Sequence, residues 1–237
     1  MRAVLDLLAT RDPRHGPLPL LLILLTIVTG LVDAVSYLAL GHVFVANMTG
    51  NVVFLGFAVV DAEDFSVPAS LTAIAAFLFG ALAGGRLAGW HGAHRGRLFA
   101  ATLLIETLLV ALALAVAFVA TVSALVGQYL IIAALSIAMG LQNATARRLA
   151  VPDLTTTVLT LTLTGFAADS GLAGGSNPRL GRRTIATISM FLGAAIGALV
   201  LLRIGTSAVL ALALALLLIV LAAAAQHWRT TDAWTRP

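Results

Sequence analysis

Apolar residues fall into eight runs along the chain, 18–40, 43–60, 67–89, 98–120, 123–144, 154–168, 184–203 and 205–226. A helix needs about 20 residues to cross roughly 30 Å of hydrocarbon. Run 154–168 has 15 residues, and run 43–60 has 18 and is interrupted near its start by Asn47, Gly50 and Asn51. The other six are predicted to span, and these two to enter the bilayer and return as half-helices. The first run, with 23 residues, is too long for the ~7–15-residue core of a secretory leader. It is predicted as the first transmembrane helix, preceded by a cytoplasmic segment 1–17 in which 2–9 could form a short surface helix. A tail, 227–237, follows the last run and is also expected to be cytoplasmic.

Arginine placement separates the topologies. With eight crossings from a cytoplasmic N-terminus, the arginines divide 8 inside to 6 outside; with six crossings, 13 to 1, only Arg203 lying outside. The positive-inside rule favours the second. It also leaves the acidic loop of Asp61, Glu63 and Asp64 outside. Residues 18–120 and 123–226 then contribute the same parts in opposite orientation. Thr26, Gly30, Leu31, Asp33 and Ala34 align with Ser136, Gly140, Leu141, Asn143 and Ala144 at an offset of 110. Val45, Asn47, Thr49, Val52 and Leu55 align with Val151, Asp153, Thr155, Val158 and Leu161 at 106, and Phe79, Gly80, Ala81 and Gly84 with Leu192, Gly193, Ala194 and Gly197 at 113. The expected fold is an all-α polytopic membrane protein: six transmembrane helices plus two re-entrant half-helices in an inverted 3+3 repeat. Such repeats place a transporter's site at their interface near the midplane.

Composition agrees. Apolar residues make up 60% and charged ones 10%, against about 45–50% and 25% in soluble proteins, so too few charges remain to cover a soluble surface. There is no cysteine, which removes disulfides, thiol nucleophiles and Cys-ligated metals. All 14 basic residues are arginine, a composition that points to GC-rich bacterial coding. The net charge of +4 is scattered between apolar runs and serves topology, not nucleic-acid binding.

Polar groups inside the membrane are functional candidates because they are expensive there. Thr26, Gly30, Asp33 and Tyr37 share one face of the first helix, and Ser136, Gly140, Asn143 and Arg147 repeat the pattern in the fifth run. Asn47 in VANMTGN and Asp153 in VPDLTTT read as N-caps of the two half-helices. Thr49, Asn51, Thr155, Thr156 and Thr157 then enrich the first turns. A helix N-terminus in low dielectric offers free N–H donors and partial positive charge. Asp33, Asn47, Thr49, Asn51, Asn143, Asp153 and Thr155 are therefore the predicted substrate-binding set. Acid and amide exchange places between the halves, so convergence would bring Asp33 and Asp153 together, and two carboxylates in one low-dielectric pocket suit proton coupling or cation binding. Glu106, alone in the fourth run, is a third proton-coupling candidate, although a purely structural role explains it as well. Glycines 80, 84, 85, 89, 193 and 197 read as close helix contacts. His91 and His94 lack further ligands, so no metal is expected, and no cofactor motif is present.

The stretch 29–56, TGLVDAVSYLALGHVFVANMTGNVVFLG, carries Asp33-Ala34, Tyr37, Leu40-Gly41, Val43-Phe44 and the run Ala46 to Asn51. It resembles the signature of the YoaK-like family of bacterial inner-membrane proteins. That resemblance implies a multi-pass inner-membrane protein and brings no substrate with it.

The expected function is a transporter or channel for a small polar solute or ion, not an enzyme. Expected partners are the lipid bilayer and that solute, with a homo-oligomer left open and nucleic acid excluded. The second reading is a non-transporting scaffold or accessory subunit, whose polar residues satisfy broken backbone. An intramembrane hydrolase is a distant third, since no nucleophile with a base is visible.

Overall fold

The computed structural model describes residues 14–60, 65–119, 125–176 and 179–236. The expected surface helix at 2–9 and the acidic loop of Asp61, Glu63 and Asp64 lie outside the described residues. Within them the secondary structure is helical: α1 (Leu18–Ala39), α2 (Met48–Val59), α3 (Val67–His91), α4 (Arg95–Val119), α5 (Leu125–Leu149), α6 (Thr160–Ala168), α7 (Leu180–Arg203) and α8 (Thr206–Ala225). Six of these are long and apolar enough to cross a membrane. At about 1.5 Å per residue, α2 with 12 residues and α6 with 9 are too short.

The start of α6 corrects the sequence reading. The run was expected to be helical from 154, but the chain stays irregular to Leu159. Asp153 and Thr156 adopt left-handed backbone, with φ of 63° and 64°, which an α-helix cannot contain. The β-branched Thr155, Thr156, Thr157 and Val158 lower helix propensity further. Asp153 is thus no N-cap; that position belongs to Leu159. Asn47 does occupy the N-cap position of α2, but its side chain makes no capping bond.

Both ends of the chain meet at one end of the bundle. The buried Arg95, at the start of α4, donates to the carbonyls of Arg14 at 2.9 Å, Leu149 at 2.5 Å and Trp234 at 3.2 Å, and lies 3.1 Å from Nδ1 of His15. The start of α1, the end of α5 and the C-terminal tail are thereby clasped together. At the opposite end Ser207, beginning α8, bonds the carbonyl of Ala117 near the end of α4.

Helix packing interleaves the two halves. α3 lies on α5, and α1 on α7. A Cβ on Gly80 would strike the backbone of Ile137, and one on Gly193 that of Ile27. Gly84 meets Ala144 and Leu141, while Gly197 meets Ala34 and Leu31; Gly140 meets Phe77 and Ala81, while Gly30 meets Met190 and Ala194. Every one of these pairs maps onto its counterpart by the offsets of 110 and 113. α4 packs on α5 and α1 on α8, again as exchanged partners. The two aligned helices are the central ones: 78% of the α1 span and 61% of the α5 span are buried, against 22–39% for the other four. The exposed Leu78, Leu108, Leu112, Phe191 and Leu218 are left for lipid.

Not all the glycines pack. A Cβ on Gly85 or Gly89 meets nothing within 4 Å, so the expected contact role does not hold there. Gly80→Ala is expected to destabilise by about 1–3 kcal/mol through overpacking against backbone, whereas Gly85→Ala leaves the melting temperature unchanged or slightly raised. Thermal unfolding of the two variants in one detergent checks the contrast; equal losses would contradict the packing described.

Candidate functional site

α1 ends at Ala39, and the chain turns through Gly41 and His42, whose φ values of 90° and 54° are left-handed. The following linker is held by Asp33: its Oδ1 accepts from the N–H of Val45 at 3.2 Å and of Ala46 at 3.1 Å. Asn51 pins the same linker from α2, its Oδ1 accepting from the N–H of Phe44 at 2.8 Å and its Nδ2 donating to the Phe44 carbonyl at 2.6 Å. Tyr37, Phe44, Phe54 and Phe65 stack in sequence, with centroids 4.9, 5.7 and 5.0 Å apart. This aromatic packing sets α2 against the end of α1 and the start of α3.

The second half uses the same device with different atoms. Gln142 of α5, fully buried, donates through Nε2 to the hydroxyls of Thr29 at 3.0 Å and Thr156 at 2.7 Å. Asn143 donates to the Thr157 hydroxyl at 2.6 Å. Amides on α5 thus hold the linker ahead of α6, as the Asp33 carboxylate on α1 holds the linker ahead of α2.

Between these anchors lies a cavity of about 650 Å³. Its wall takes Asp33 from α1, Asn143 from α5, Asn47 at the N-cap and Met48, Thr49 and Gly50 in the first turn of α2, Thr157 and Leu159 from the linker ahead of α6, and Thr160 and Leu163 from the first turn of α6. Phe54, Phe77 and Met190 supply apolar surface. Of the predicted binding set, Asp33, Asn47, Thr49 and Asn143 meet in this one space. The other three do not line it. Asn51 is buried and turned to Phe44. Thr155 is exposed and its hydroxyl bonds the Val158 carbonyl at 2.8 Å.

Asp153 lies in an ionic cluster instead. Arg183 of α7 donates Nε to Asp153 at 3.1 Å, Nη2 to Asp169 at 2.7 Å and Nη1 to the Gly165 carbonyl, while Arg179 approaches the second oxygen of Asp153 at 3.0 Å. One guanidinium therefore ties the linker, α6 and the end of α6 to α7. The expected pairing of Asp33 with Asp153 in one pocket does not occur. Among the described residues Asp33 is the sole carboxylate on the cavity wall, and no arginine or histidine shares it. Its Oδ2 has no protein partner among the described residues.

The third proton-coupling candidate, Glu106, is away from that wall. It is fully buried in α4, and neither carboxyl oxygen has a hydrogen-bond partner among the described residues. Removing the group forfeits no bond and relieves a buried unsatisfied one. Glu106→Leu is therefore expected to stabilise the protein by about 1–2 kcal/mol, read as a higher melting temperature; a lower one would reveal a bond that the carboxyl makes.

Sequence reasoning missed Gln142, Thr160 and the two structural arginines. Gln142 had a visible signal, a long amide beside Asn143 inside an apolar run. Arg95 and Arg183 had none, because each works on groups far away in sequence.

Comparison with known proteins agrees with a multi-pass membrane protein. The chain is 37% identical over 155 residues to the UPF0700 transmembrane protein YoaK of Bacillus subtilis (strain 168), an alignment covering 63% of this chain and 65% of that protein. The chain thus aligns with just under two thirds of that relative's length. No solved structure matches. A family model described as "Protein of unknown function (DUF1275)" matches residues 21–223. With nearly the whole membrane portion matched, including both short helices and the residues that line the cavity between them, the chain belongs to this DUF1275 family of membrane proteins.

Proposed function

We propose that the protein is a transporter or channel of the bacterial inner membrane for a small cationic or neutral polar solute, proton-coupled through Asp33. In this reading six helices cross, both termini are cytoplasmic, and α2 and α6 are re-entrant halves of an inverted 3+3 repeat. The end-to-end contacts support it. α1 and α4 start at the clasped end, α5 finishes there, and α8 runs back to it from the Ser207 end. α2 and α6 then fall between helices whose facing ends lie on the same side, so neither makes a net crossing. Among the described residues the clasped end also holds Arg14, Arg95 and Arg97, in keeping with the positive-inside rule. The exchange of glycine contacts by constant offset supports the repeat.

The observation that carries the function is the cavity onto which both half-helices open their N-terminal turns beside Asp33 and Asn143. Fixed amide, hydroxyl and carboxylate groups over an apolar floor orient a small polar molecule. With one carboxylate and no basic side chain, the wall attracts a cation and repels an anion unless Asp33 is protonated. No nucleophile paired with a base lines it, so we read the protein as a carrier or pore and not an enzyme.

A scaffold role is the alternative, favoured by the two backbone N–H groups that Asp33 already satisfies. A stabilisation screen of purified protein against small amines, metal cations and neutral polar solutes separates the two. A solute at about 100 times its Kd stabilises by roughly 2.7 kcal/mol, and the transport reading expects a hit whose stabilisation falls by half or more in Asp33→Asn. No stabilising solute, together with no flux into liposomes, would leave the scaffold.

A further inference from the structure

α3 and α5 touch through Gly80 and Gly84. Beyond that point α3 presents Gly85, Ala88 and Gly89, and α5 presents Ala144, Arg147 and Arg148, around a trench of about 690 Å³. Its glycines do not serve helix contact, since an added Cβ would meet open space at both. Both arginines are exposed and have no hydrogen-bond or ion-pair partner among the described residues. No carboxylate lines the trench. Arginines in the last turn of a helix balance its carbonyl end, but that role leaves the open floor unexplained.

The trench lies at the arginine-rich end of the bundle, beside Arg95 and Leu149 of the terminal clasp. Trp90, 79% exposed, follows Gly89, and such tryptophans mark the level of lipid headgroups. The opposite half lacks the feature. At the corresponding offsets stand Ala198, Leu201 and Leu202 on α7, and Tyr37 and Leu38 on α1.

We infer that this trench is a binding site for the phosphate headgroup of an anionic phospholipid, with Arg147 and Arg148 on the phosphate oxygens and the glycerol backbone lying over Gly85 and Gly89. Guanidinium groups bind phosphate through paired, charge-assisted hydrogen bonds, and basic pockets between helices take anionic headgroups. The missing side chains on α3 let the lipid approach the helix backbone. This site is separate from the cavity at Asp33 and stands whether or not that cavity transports a solute.

The test is native mass spectrometry and thermal unfolding of the full chain in mild detergent, titrated with phosphatidylglycerol, phosphatidylcholine or inorganic phosphate. Phosphatidylglycerol alone is expected to bind in a resolved one-to-one peak and raise the melting temperature. A cation near an anionic headgroup contributes about fivefold to binding, so Arg147→Gln with Arg148→Gln should weaken it about thirtyfold. The double control Arg229→Gln with Arg236→Gln, which removes the same charge from the tail, should leave it unchanged. Gly89→Leu, which adds a side chain to the floor where a Cβ meets nothing within 4 Å, should weaken lipid binding while leaving the melting temperature in phosphatidylcholine intact. Equal loss in the control pair, an equal effect of inorganic phosphate, or no phosphatidylglycerol binding each overturns the proposal. So does a dimer that persists with added lipid and is lost in Gly89→Leu, because the trench would then hold a second copy of the chain.

Discussion

Arg95→Ala is expected to lower the melting temperature by roughly 6–12 °C, the shift matching about 3 kcal/mol in a chain of this size. The guanidinium is buried and fixes three carbonyls from three separate parts of the chain, Arg14, Leu149 and Trp234. Hydrogen bonds to a charged donor contribute about 1.5–3 kcal/mol each, and the carbonyls left behind lose their partner. Several such bonds act together here, so about 3 kcal/mol allows for water reaching part of the opened site. Arg95→Lys keeps the charge but cannot span the same acceptors from a single ammonium, and is expected to recover less than half. Arg97→Ala is the control, since its exposed side chain makes one bond among the described residues, to the Trp228 carbonyl at 3.1 Å. If Arg95→Ala and Arg97→Ala unfold at the same temperature, the clasp contributes nothing.

Asp33→Asn is expected to reduce solute flux, or the affinity of any solute found by screening, by about 10–100-fold. A charge-assisted contact to a cation is worth roughly 1.5–3 kcal/mol more than none, which converts to that range. The amide keeps an oxygen for the Val45 and Ala46 N–H groups, so the linker stays anchored and the melting temperature should hold. Asp33→Ala removes the anchor as well, and both flux and stability should fall. Asp153→Asn gives the opposite pattern. It weakens the cluster around Arg183 and lowers the melting temperature, yet leaves solute affinity within a few-fold, because Asp153 is not on the cavity wall. Equal effects of Asp33→Asn and Asp153→Asn on affinity would mean that the two carboxylates act on one site after all.

The difference between these two aspartates shows where the sequence was legible and where it was not. Run lengths predict six long helices and two short ones, and the described residues form them. The alignment offsets 110 and 113 were readable too, and they reappear as matched contacts such as Gly80 on Ile137 and Gly193 on Ile27. Helical spacing points to Asp33 and Asn143, and the N-cap and first turn of a short apolar run to Asn47 and Thr49; the four share one wall. Asp153 looked like a cap for equally local reasons. Its fate is decided by Arg183, 30 residues away, and by left-handed backbone at Asp153 and Thr156, neither of which a local pattern encodes. Gly85 fails as a packing glycine because it stands one residue, about 100° of helix rotation, away from Gly84, which takes the α5 contact, and which face meets a neighbour is a property of the whole bundle.

The central claim is that α2 and α6 enter from opposite sides and return, and the absence of cysteine from the chain makes it directly measurable. Single variants His42→Cys, Val60→Cys, Ala150→Cys and Ser170→Cys flank the two short helices. Labelling with a membrane-impermeant thiol reagent in sealed, oriented vesicles should modify His42→Cys and Val60→Cys from one face, and Ala150→Cys and Ser170→Cys from the other. Labelling of His42→Cys and Val60→Cys from opposite faces, or of Ala150→Cys and Ser170→Cys from opposite faces, would contradict the account, because a short helix would then run from leaflet to leaflet.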